Sequence, residues 1–230
     1  MTSGIDPVHD ISVTAALRTT GAVRGFTSQP VESSTITAIL DDARFAPSGG
    51  NRQPWRVAVV ADRSLRQELG RAMRPVWDEY VAISATGRTP FSVVEPSTSA
   101  LTTPPAGHTP NDLLEHIEDV PAVLAVAADL SRIAMMDKDL DRPAITGGAS
   151  IYPFCWSVLL AARARGLGGV LTTFASRVEP RTGALLGLPP DHALAAVIIL
   201  GYPSFRATRL RRHQVENFAT QNRFDGPAIS

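Results

Sequence analysis

The order of apolar and polar positions divides the chain into alternating helical and extended segments. Apolar residues at helical spacing predict helices over residues 6–17, 33–45, 64–83, 144–165 and 178–186. Runs rich in valine, isoleucine and alanine predict strands over residues 56–61, 121–130, 170–174 and 194–201. The second of these strands is continuously apolar, which is typical of a strand buried on both faces. On pattern alone, the alternation favours an α/β fold with some parallel strand pairing.

The predicted helix over residues 144–165 is apolar almost all round from Ile151 to Ala162. A helix without a polar face is buried on every side, either in the core or at an interface between subunits. We therefore expect a homodimer in which this helix meets the second copy of the chain. Pro153 lies within the segment and predicts either a kink or a later start of the helix.

Length and charge limit the class of protein. The 230 residues suffice for one domain with a sizeable core, so we expect a single domain over residues 1–230. The 22 basic residues balance 22 acidic ones, which argues against nucleic acid or an anionic membrane as the main partner. The N-terminus lacks a targeting pattern, and no apolar run is long enough to cross a bilayer. These features predict a soluble, cytoplasmic protein.

Residue types that bind metals or act as nucleophiles are sparse. Cys155 is the sole cysteine and lies in an apolar stretch, so we expect a buried, unreactive thiol. His108 and His116 have no carboxylate or cysteine joining them at ligand spacing, so no metal site is expected.

Residues 87–110 are rich in proline, threonine, serine and glycine and predict an irregular stretch. Such a long stretch without regular structure inside one domain is usually functional or disordered. Two interpretations stay open: a lid on the substrate side of a binding site, and a plain insertion.

The run from Ala46 to Trp55 carries the most specific chemical signal in the chain. It lies between a predicted helix and a predicted strand, and its two glycines let the backbone turn sharply and approach a ligand closely. Asn51 and Gln53 each present an amide that both donates and accepts hydrogen bonds. A planar heterocycle with alternating donors and acceptors, such as a flavin, suits these amides. The alternative is a polar turn that joins two elements.

This run resembles the APS-x-x-N-x-QPW signature of the FMN-dependent nitroreductase family. Upstream, residues 18–26 resemble the family's RRS-x-R-x-F element, although Gly21 and Ala22 stand where the family has an arginine and a serine. That departure leaves open which second arginine and which hydroxyl bind phosphate. Downstream, further matches follow in the family's order at residues 161–169, 188–189 and 199–203. The resemblance covers residues 15–215 or thereabouts.

The resemblance implies an α+β fold of the nitroreductase type, with a central, mainly antiparallel sheet wrapped by helices. It also implies a homodimer, with the long apolar helix in the interface and the C-terminal tail, residues 204–230, swapped over the partner subunit. The implied cofactor is FMN and the co-substrate NADPH or NADH. The implied acceptor is an electron-poor small molecule, such as a nitroaromatic or a quinone, reduced by a ping-pong mechanism. Two alternatives remain: a flavin-consuming or dehalogenating enzyme of the same fold, and a non-catalytic protein that sequesters FMN.

The resemblance implies that no side chain acts as a catalytic acid or nucleophile, because the flavin carries the chemistry. A flavin phosphate is a dianion and needs positive donors. The residues that match its ligands are Arg18, Thr20, Arg24, Arg209 and Arg211, and Arg206 and Arg212 lie in the same basic cluster, with Arg212 able to replace Arg209 or Arg211.

Other matching positions are implied to hold the rest of the flavin. The positions that match contacts to the ribityl chain and the edge of the flavin ring are Pro47, Ser48, Gly49, Asn51 and Gln53. The backbone of Leu171, Thr172 and Thr173 matches the donors to flavin N5 and O4. Tyr152 and Pro153 match contacts made by the second subunit, although Tyr152 suits plain packing equally well. Trp55 is expected to belong to the core.

Overall fold

The computed structural model describes residues 11–94, 109–207 and 209–229 of the chain. Those residues form seven α-helices and four β-strands. The helices are α1 (Val13–Thr19), α2 (Ser33–Ala43), α3 (Arg63–Ala85), α4 (Asp112–Glu115), α5 (Tyr152–Ala164), α6 (Phe174–Arg177) and α7 (Glu179–Leu186). The strands are β1 (Trp55–Val59), β2 (Ala122–Asp129), β3 (Gly168–Thr172) and β4 (His192–Gly201). Short 3-10 helices lie at Gly49–Asn51, Ile117–Asp119, Leu130–Arg132, Thr146–Ser150 and Val215–Asn217.

Every helix and strand predicted from the sequence has a counterpart, and most ends differ by a few residues. The largest difference is at α5, which was predicted from residue 144 but starts at Tyr152, after the 3-10 helix Thr146–Ser150. The short helices α4 and α6 were not predicted. Residues 6–10 of the first predicted helix and residues 95–108 of the predicted irregular stretch lie outside the described residues.

The four strands form one antiparallel sheet in the order β1-β2-β4-β3. Ala125 of β2 pairs with Ala58 of β1 on one side and with Val197 of β4 on the other. The expectation of parallel pairing was therefore wrong for these strands, and the α+β fold implied by the resemblance is confirmed. The error has a physical cause. β1 ends at Val59 opposite Leu124, near the start of β2, because the chain after α3 returns to the same end of the sheet.

β2 is buried along its whole length, as its continuous apolar sequence predicted. Its side chains alternate between the two faces of the sheet. Leu124 and Val126 join a core formed with α2 and α5, whereas Val123 and Ala125 join a second core formed with α3 and α6. Burial stabilises the fold by roughly 1.5–3 kcal/mol for each large apolar side chain. The sheet is therefore the rigid middle layer between two layers of helices.

β3 begins at Gly168, earlier than predicted, because two glycines allow close contact at that point. A Cβ at Gly169 would lie 2.5 Å from Leu200 Cδ2, and a Cβ at Gly168 would lie 2.6 Å from Val23 Cγ2. The Val23 N–H donates to the Gly169 carbonyl over 2.9 Å. This bond fixes the motif over residues 18–26 along β3.

The apolar helix α5 starts at Tyr152, with Pro153 in its first turn, so the prediction of a later start is confirmed. One face packs in the core through Phe154 and Val158. Burial on every side is not reached within one chain, because Tyr152 and Trp156 are 45% and 38% exposed. The homodimer that would cover this face stays a prediction.

Candidate functional site

A cavity of about 590 Å³ lies between α3, the end of β3 and the start of α6. We call it the aromatic cavity, since the rings of Trp77, Tyr80 and Phe174 contribute to its wall. Its remaining lining residues are Arg24, Asn111, Leu113, Leu114, Val170, Leu171, Thr172 and Thr173. The structure therefore brings together Arg24 and the Leu171–Thr173 backbone, which the sequence assigned to one site from distant parts of the chain.

The aromatic wall has a defined geometry. The Trp77 and Tyr80 rings lie 5.9 Å apart and 8° from parallel. The Phe174 ring lies 5.9 Å from Tyr80 and 6.2 Å from Trp77. The Trp77 indole N–H donates to the Thr109 carbonyl over 3.0 Å, which fixes its orientation. Flat, fixed rings of this kind suit a planar ligand.

Arg24 also lines a smaller cavity of about 160 Å³, shared with Thr19, Ser204 and Arg206. The two chain segments that form it are joined by the backbone, since the Ser204 N–H donates to the Gly25 carbonyl over 3.1 Å. The motif over residues 18–26 and the segment after β4 are thus neighbours, as the resemblance implied. Among the described residues, the Arg24 guanidinium forms no hydrogen bond or ion pair, so it is free for a ligand.

A third cavity, of about 500 Å³, is basic. Arg18, Arg209 and Arg212 line it together with Leu17, Thr19 and Leu210. Arg18 and Arg209 are therefore brought together as the sequence suggested, and Arg212 joins them. Arg211 does not line this cavity, and its carbonyl accepts a hydrogen bond from Arg212 over 2.6 Å.

Arg206 and Thr20 lie in the same region and differ in their bonding. The Arg206 guanidinium donates to the carbonyls of Gly166 and Leu167 over 2.9 and 3.0 Å, just after α5. Burial, and to a lesser degree the charge of Arg163, lowers the pKa of Arg206. Arg206 is thus committed to the protein backbone. The Thr20 hydroxyl is buried and has no hydrogen-bond partner among the described residues.

The loop from Ser48 to Gln53, which we call the amide loop, has a strained backbone. Asn51 and Gln53 have φ angles of 50° and 47°, in the left-handed region that side chains other than glycine seldom adopt. Strain of this kind costs roughly 1–3 kcal/mol per residue and is often found at functional sites. Ser48 Oγ accepts from the Gln53 N–H over 3.0 Å, and Gln53 Nε2 donates to Asn51 Oδ1 over 3.1 Å. Both amide side chains remain on the exposed surface.

The amide loop lies beside the start of α5. The Gly49 N–H donates to Ser150 Oγ over 3.0 Å, and Tyr152 and Pro153 follow in the chain after Ile151. None of residues 47–53 lines the aromatic cavity. Within one chain, the candidate site therefore falls into two groups: the cavities around Arg24, and the amide loop with the start of α5.

The expected core residues lie in the core. Trp55 stacks on Phe154, with ring centroids 4.7 Å apart and planes 7° from parallel. Cys155 is fully buried, and burial raises the pKa of its thiol to about 12, so the thiolate is not formed near neutral pH. In the described part of the chain, no group of three or more metal-ligating side chains is placed to hold an ion. No helix within the described ranges has the length and apolar character needed to span a bilayer.

Sequence reasoning missed the aromatic wall. Trp77 and Tyr80 are three positions apart on α3, a spacing that places both rings on one face, and that pattern was an available signal. Phe174 directly follows the predicted Leu171–Thr173 backbone. Asn111 offers no sequence signal, because its place in the cavity depends on the packing of α4 against α3.

A model of the family described as "Nitroreductase family" matches residues 17–202, which is most of the chain. The chain belongs to the nitroreductase family. This nitroreductase-family protein is 31% identical over 206 residues to an NADH dehydrogenase of Thermus thermophilus, covering 86% of this chain and 89% of that relative. It is 28% identical over 182 residues to a 5,6-dimethylbenzimidazole synthase of Rhodospirillum rubrum, covering 79% and 77%.

Solved structures agree on the fold. An NADPH:FMN oxidoreductase from Vibrio harveyi, complexed with NAD+, superposes with a TM-score of 0.64. The match has 18% sequence identity and covers 91% of this chain and 76% of that one. At this identity the likeness shows the fold. The family membership and the similarity to the NADH dehydrogenase indicate an oxidoreductase of the nitroreductase type.

Proposed function

We propose that this protein is an FMN-dependent oxidoreductase that takes hydride from NADPH or NADH and reduces an electron-poor small molecule. The observation that carries the proposal is the aromatic cavity, in which Arg24 and the Leu171–Thr173 backbone meet a wall of flat rings. The family membership and the Vibrio harveyi fold neighbour, an NADPH:FMN oxidoreductase, support it.

The arrangement of the three cavities fits the shape and charge of FMN. Arg24 lines both the aromatic cavity and the small cavity, and Thr19 lines both the small cavity and the basic cavity. The cavities therefore adjoin in the order apolar, polar, basic. FMN has the same order of parts: a planar ring, a hydroxylated chain and a phosphate. Arg18, Arg209 and Arg212 would supply the positive charge that the phosphate needs.

The amide loop completes the site if a second copy of the chain is present. The exposed side chains of Tyr152 and Trp156 mark the face of α5 on which a second copy would pack. The amide loop is bonded to Ser150, close to that face. We propose a homodimer in which each subunit contributes its amide loop and the start of α5 to the flavin held in the partner subunit's cavities. The C-terminal tail beyond residue 204 would cover the partner, because Phe205 and Phe218 are 78% and 71% exposed in one chain.

The protein's own groups bind and orient. The backbone N–H groups of Leu171–Thr173 and the Arg24 guanidinium would place positive charge beside the ring, which favours a ring that gains negative charge on reduction. When bound, FMN supplies the redox chemistry by accepting a hydride and passing the electrons on. We expect ping-pong kinetics, because the two substrates would use the same open face of the ring in turn. Nitroaromatics and quinones are the acceptor classes proposed.

The absorption spectrum of the purified protein tests the proposal. A flavin spectrum, bleaching under anaerobic NADPH or NADH and recovery on addition of a nitroaromatic or quinone would support the reductase. A protein that stays colourless after incubation with FMN would end the proposal. A protein that binds FMN but is not bleached by either nicotinamide would instead be a sequestering protein.

A second candidate is an enzyme of the same fold that consumes flavin or removes halogen from a phenol. The similarity to a 5,6-dimethylbenzimidazole synthase, at an identity close to that of the NADH dehydrogenase, favours keeping it. Chromatography of the flavin after turnover under oxygen separates the two candidates. Recovery of intact FMN supports the reductase, and loss of flavin with a new product supports the second candidate. Release of halide from a halogenated phenol would support the dehalogenating form.

A further inference from the structure

The residues that join β2 to α5, residues 130–150, are organised around one buried carboxylate. Asp137 is 4% exposed, although it lies in a connecting segment. It accepts from the backbone N–H groups of Ile145 and Thr146 over 2.9 and 3.2 Å, and from the Thr146 hydroxyl over 2.5 Å. It also pairs with the Arg142 guanidinium over 2.7 Å. A single side chain thus fixes a loop of the chain from Arg142 to Thr146.

These bonds determine where the following 3-10 helix begins. Thr146 is the first residue of that helix and Ser150 is the last. Ser150 Oγ accepts the Gly49 N–H over 3.0 Å, which is a direct contact with the amide loop. Asp137 is therefore connected to the amide loop through one short helix and two hydrogen-bonded contacts.

The opposite end of the amide loop is held by the same connecting segment. The Arg132 guanidinium donates to the Arg52 carbonyl over 3.4 Å, and Arg132 is paired with Asp129 over 3.2 Å. The hydrogen bond from Arg132 to the Arg52 carbonyl is longer than the one from Gly49 to Ser150, and Arg132 is more exposed than Ser150. The Gly49 contact is the firmer of the two.

The amide loop needs external support because its own backbone is strained. Positive φ angles at Asn51 and Gln53 are unfavourable for these residues and persist only where surrounding structure imposes them. The internal hydrogen bonds of the loop join its residues only to one another and do not attach it to the rest of the protein, and the Asn51 and Gln53 side chains face solvent. Without the Ser150 contact, we expect the loop to sample other conformations.

We propose that Asp137 is a positioning residue, which holds the amide loop through Thr146 and Ser150 in the conformation that presents Asn51 and Gln53 to the flavin. The proposal rests on the proposed function for the identity of the ligand. The effect on the amide loop itself does not depend on that function. The two claims can therefore fail separately.

Backbone amide exchange of the flavin-free protein tests the first link. Asp137→Asn and Ser150→Ala should each speed exchange of the Gly49 and Gln53 amides by about tenfold or more. The Gly49 N–H loses its fixed acceptor, Ser150 Oγ, and the bond from the Gln53 N–H to Ser48 Oγ opens more often once the loop samples other conformations. Asp139→Asn, on an exposed neighbour in the same segment, is the matched control and should change nothing. If Asp137→Asn does not fold, Thr146→Val removes one hydroxyl bond to the same carboxylate and should produce a smaller effect of the same kind.

Titration with FMN tests the second link. Asp137→Asn and Ser150→Ala should each weaken FMN binding by about tenfold, and the double variant should be no weaker than the poorer single variant, because the two residues act in series. Additive losses would overturn the proposed route through Ser150. A variant that unfolds at lower temperature but keeps parental amide exchange and FMN affinity would show a merely structural Asp137. A parent protein that binds no FMN would refute the proposed function, and the exchange measurement would still decide the role of Asp137.

Discussion

Replacement of Arg24 is the sharpest test of the proposed flavin site, because the described part of the chain does not bond to its guanidinium. Among the described residues it forms no hydrogen bond or ion pair, yet it lines both the aromatic and the small cavity. Removing it should leave the stability of the fold almost unchanged. A hydrogen bond to a charged group contributes about 1.5–3 kcal/mol. Arg24→Ala should therefore weaken FMN binding about 10- to 150-fold.

Arg206 provides the matched control, since it lines the same small cavity. Its guanidinium is already bonded to the carbonyls of Gly166 and Leu167. Arg206→Ala should lower the melting temperature by roughly 3–10 °C, because two carbonyls lose a charged donor. FMN affinity should fall less in this variant than in Arg24→Ala.

The assay is quenching of FMN fluorescence on titration with flavin-free protein, combined with thermal unfolding of each variant. We expect Arg24→Ala to lose affinity without losing stability, and Arg206→Ala to lose stability with a smaller loss of affinity. FMN binding as tight in Arg24→Ala as in the parent would refute the placement of the flavin across these cavities. Equal losses of stability in both variants would refute the claim that the Arg24 side chain does not stabilise the fold.

Three further predictions concern the interface, the cavity rim and acid stability. Trp156→Glu should produce a monomer that no longer retains FMN, as measured by sedimentation, because an unpaired charge on the open face of α5 opposes packing; a dimer that persists would contradict the assigned interface. Phe91 belongs to the stretch of residues 87–110, and its ring centroid lies 6.5 Å from that of Tyr80. Phe91→Ala should therefore leave FMN stoichiometry unchanged but alter kcat/KM among acceptors, whereas Val94→Ala, at an exposed position, should leave kcat/KM unchanged. Identical kinetics in both variants would favour a plain insertion. Hydrogen bonds from Thr146 and the Ile145 backbone hold the pKa of the Asp137 carboxyl well below its ordinary value of 3.8. Its stabilising contribution is thus present above about pH 4 and lost as the pH falls, so urea unfolding should show the stability difference between parent and Asp137→Asn shrinking in acid, and a constant difference would contradict the assignment.

The fold could be predicted from the sequence where local pattern alone decides the structure. The continuous apolar run of β2 needs burial on both faces, and the structure gives it two cores. Pro153 has no N–H to donate within a helix, so α5 starts at that point. The direction of strand pairing was mistaken, because alternation of helices and strands does not say to which end of the sheet a connection returns.

The sequence predicted those site residues that the family resemblance assigns, but not those that helix packing places in the cavity. Arg24, in the motif over residues 18–26, and Thr172, a position assigned through the resemblance, were both expected beside the flavin, and they line one cavity. Trp77 and Asn111 belong to no motif, and their place in the wall depends on how α3 and α4 pack. Asp137 was not foreseen at all, because an aspartate in a polar segment is ordinarily exposed and only the folded chain shows it buried.

The segment organised by Asp137 also offers a convenient place for a spectroscopic label. Lys138 is the only lysine in the sequence, and its side chain is exposed directly beside the buried carboxylate. An amine-reactive dye would therefore mark one side chain and the N-terminal amine, without any engineered cysteine. Such a dye would sit on the structure that supports the amide loop. Its anisotropy would report ordering of that structure in real time when a ligand is added.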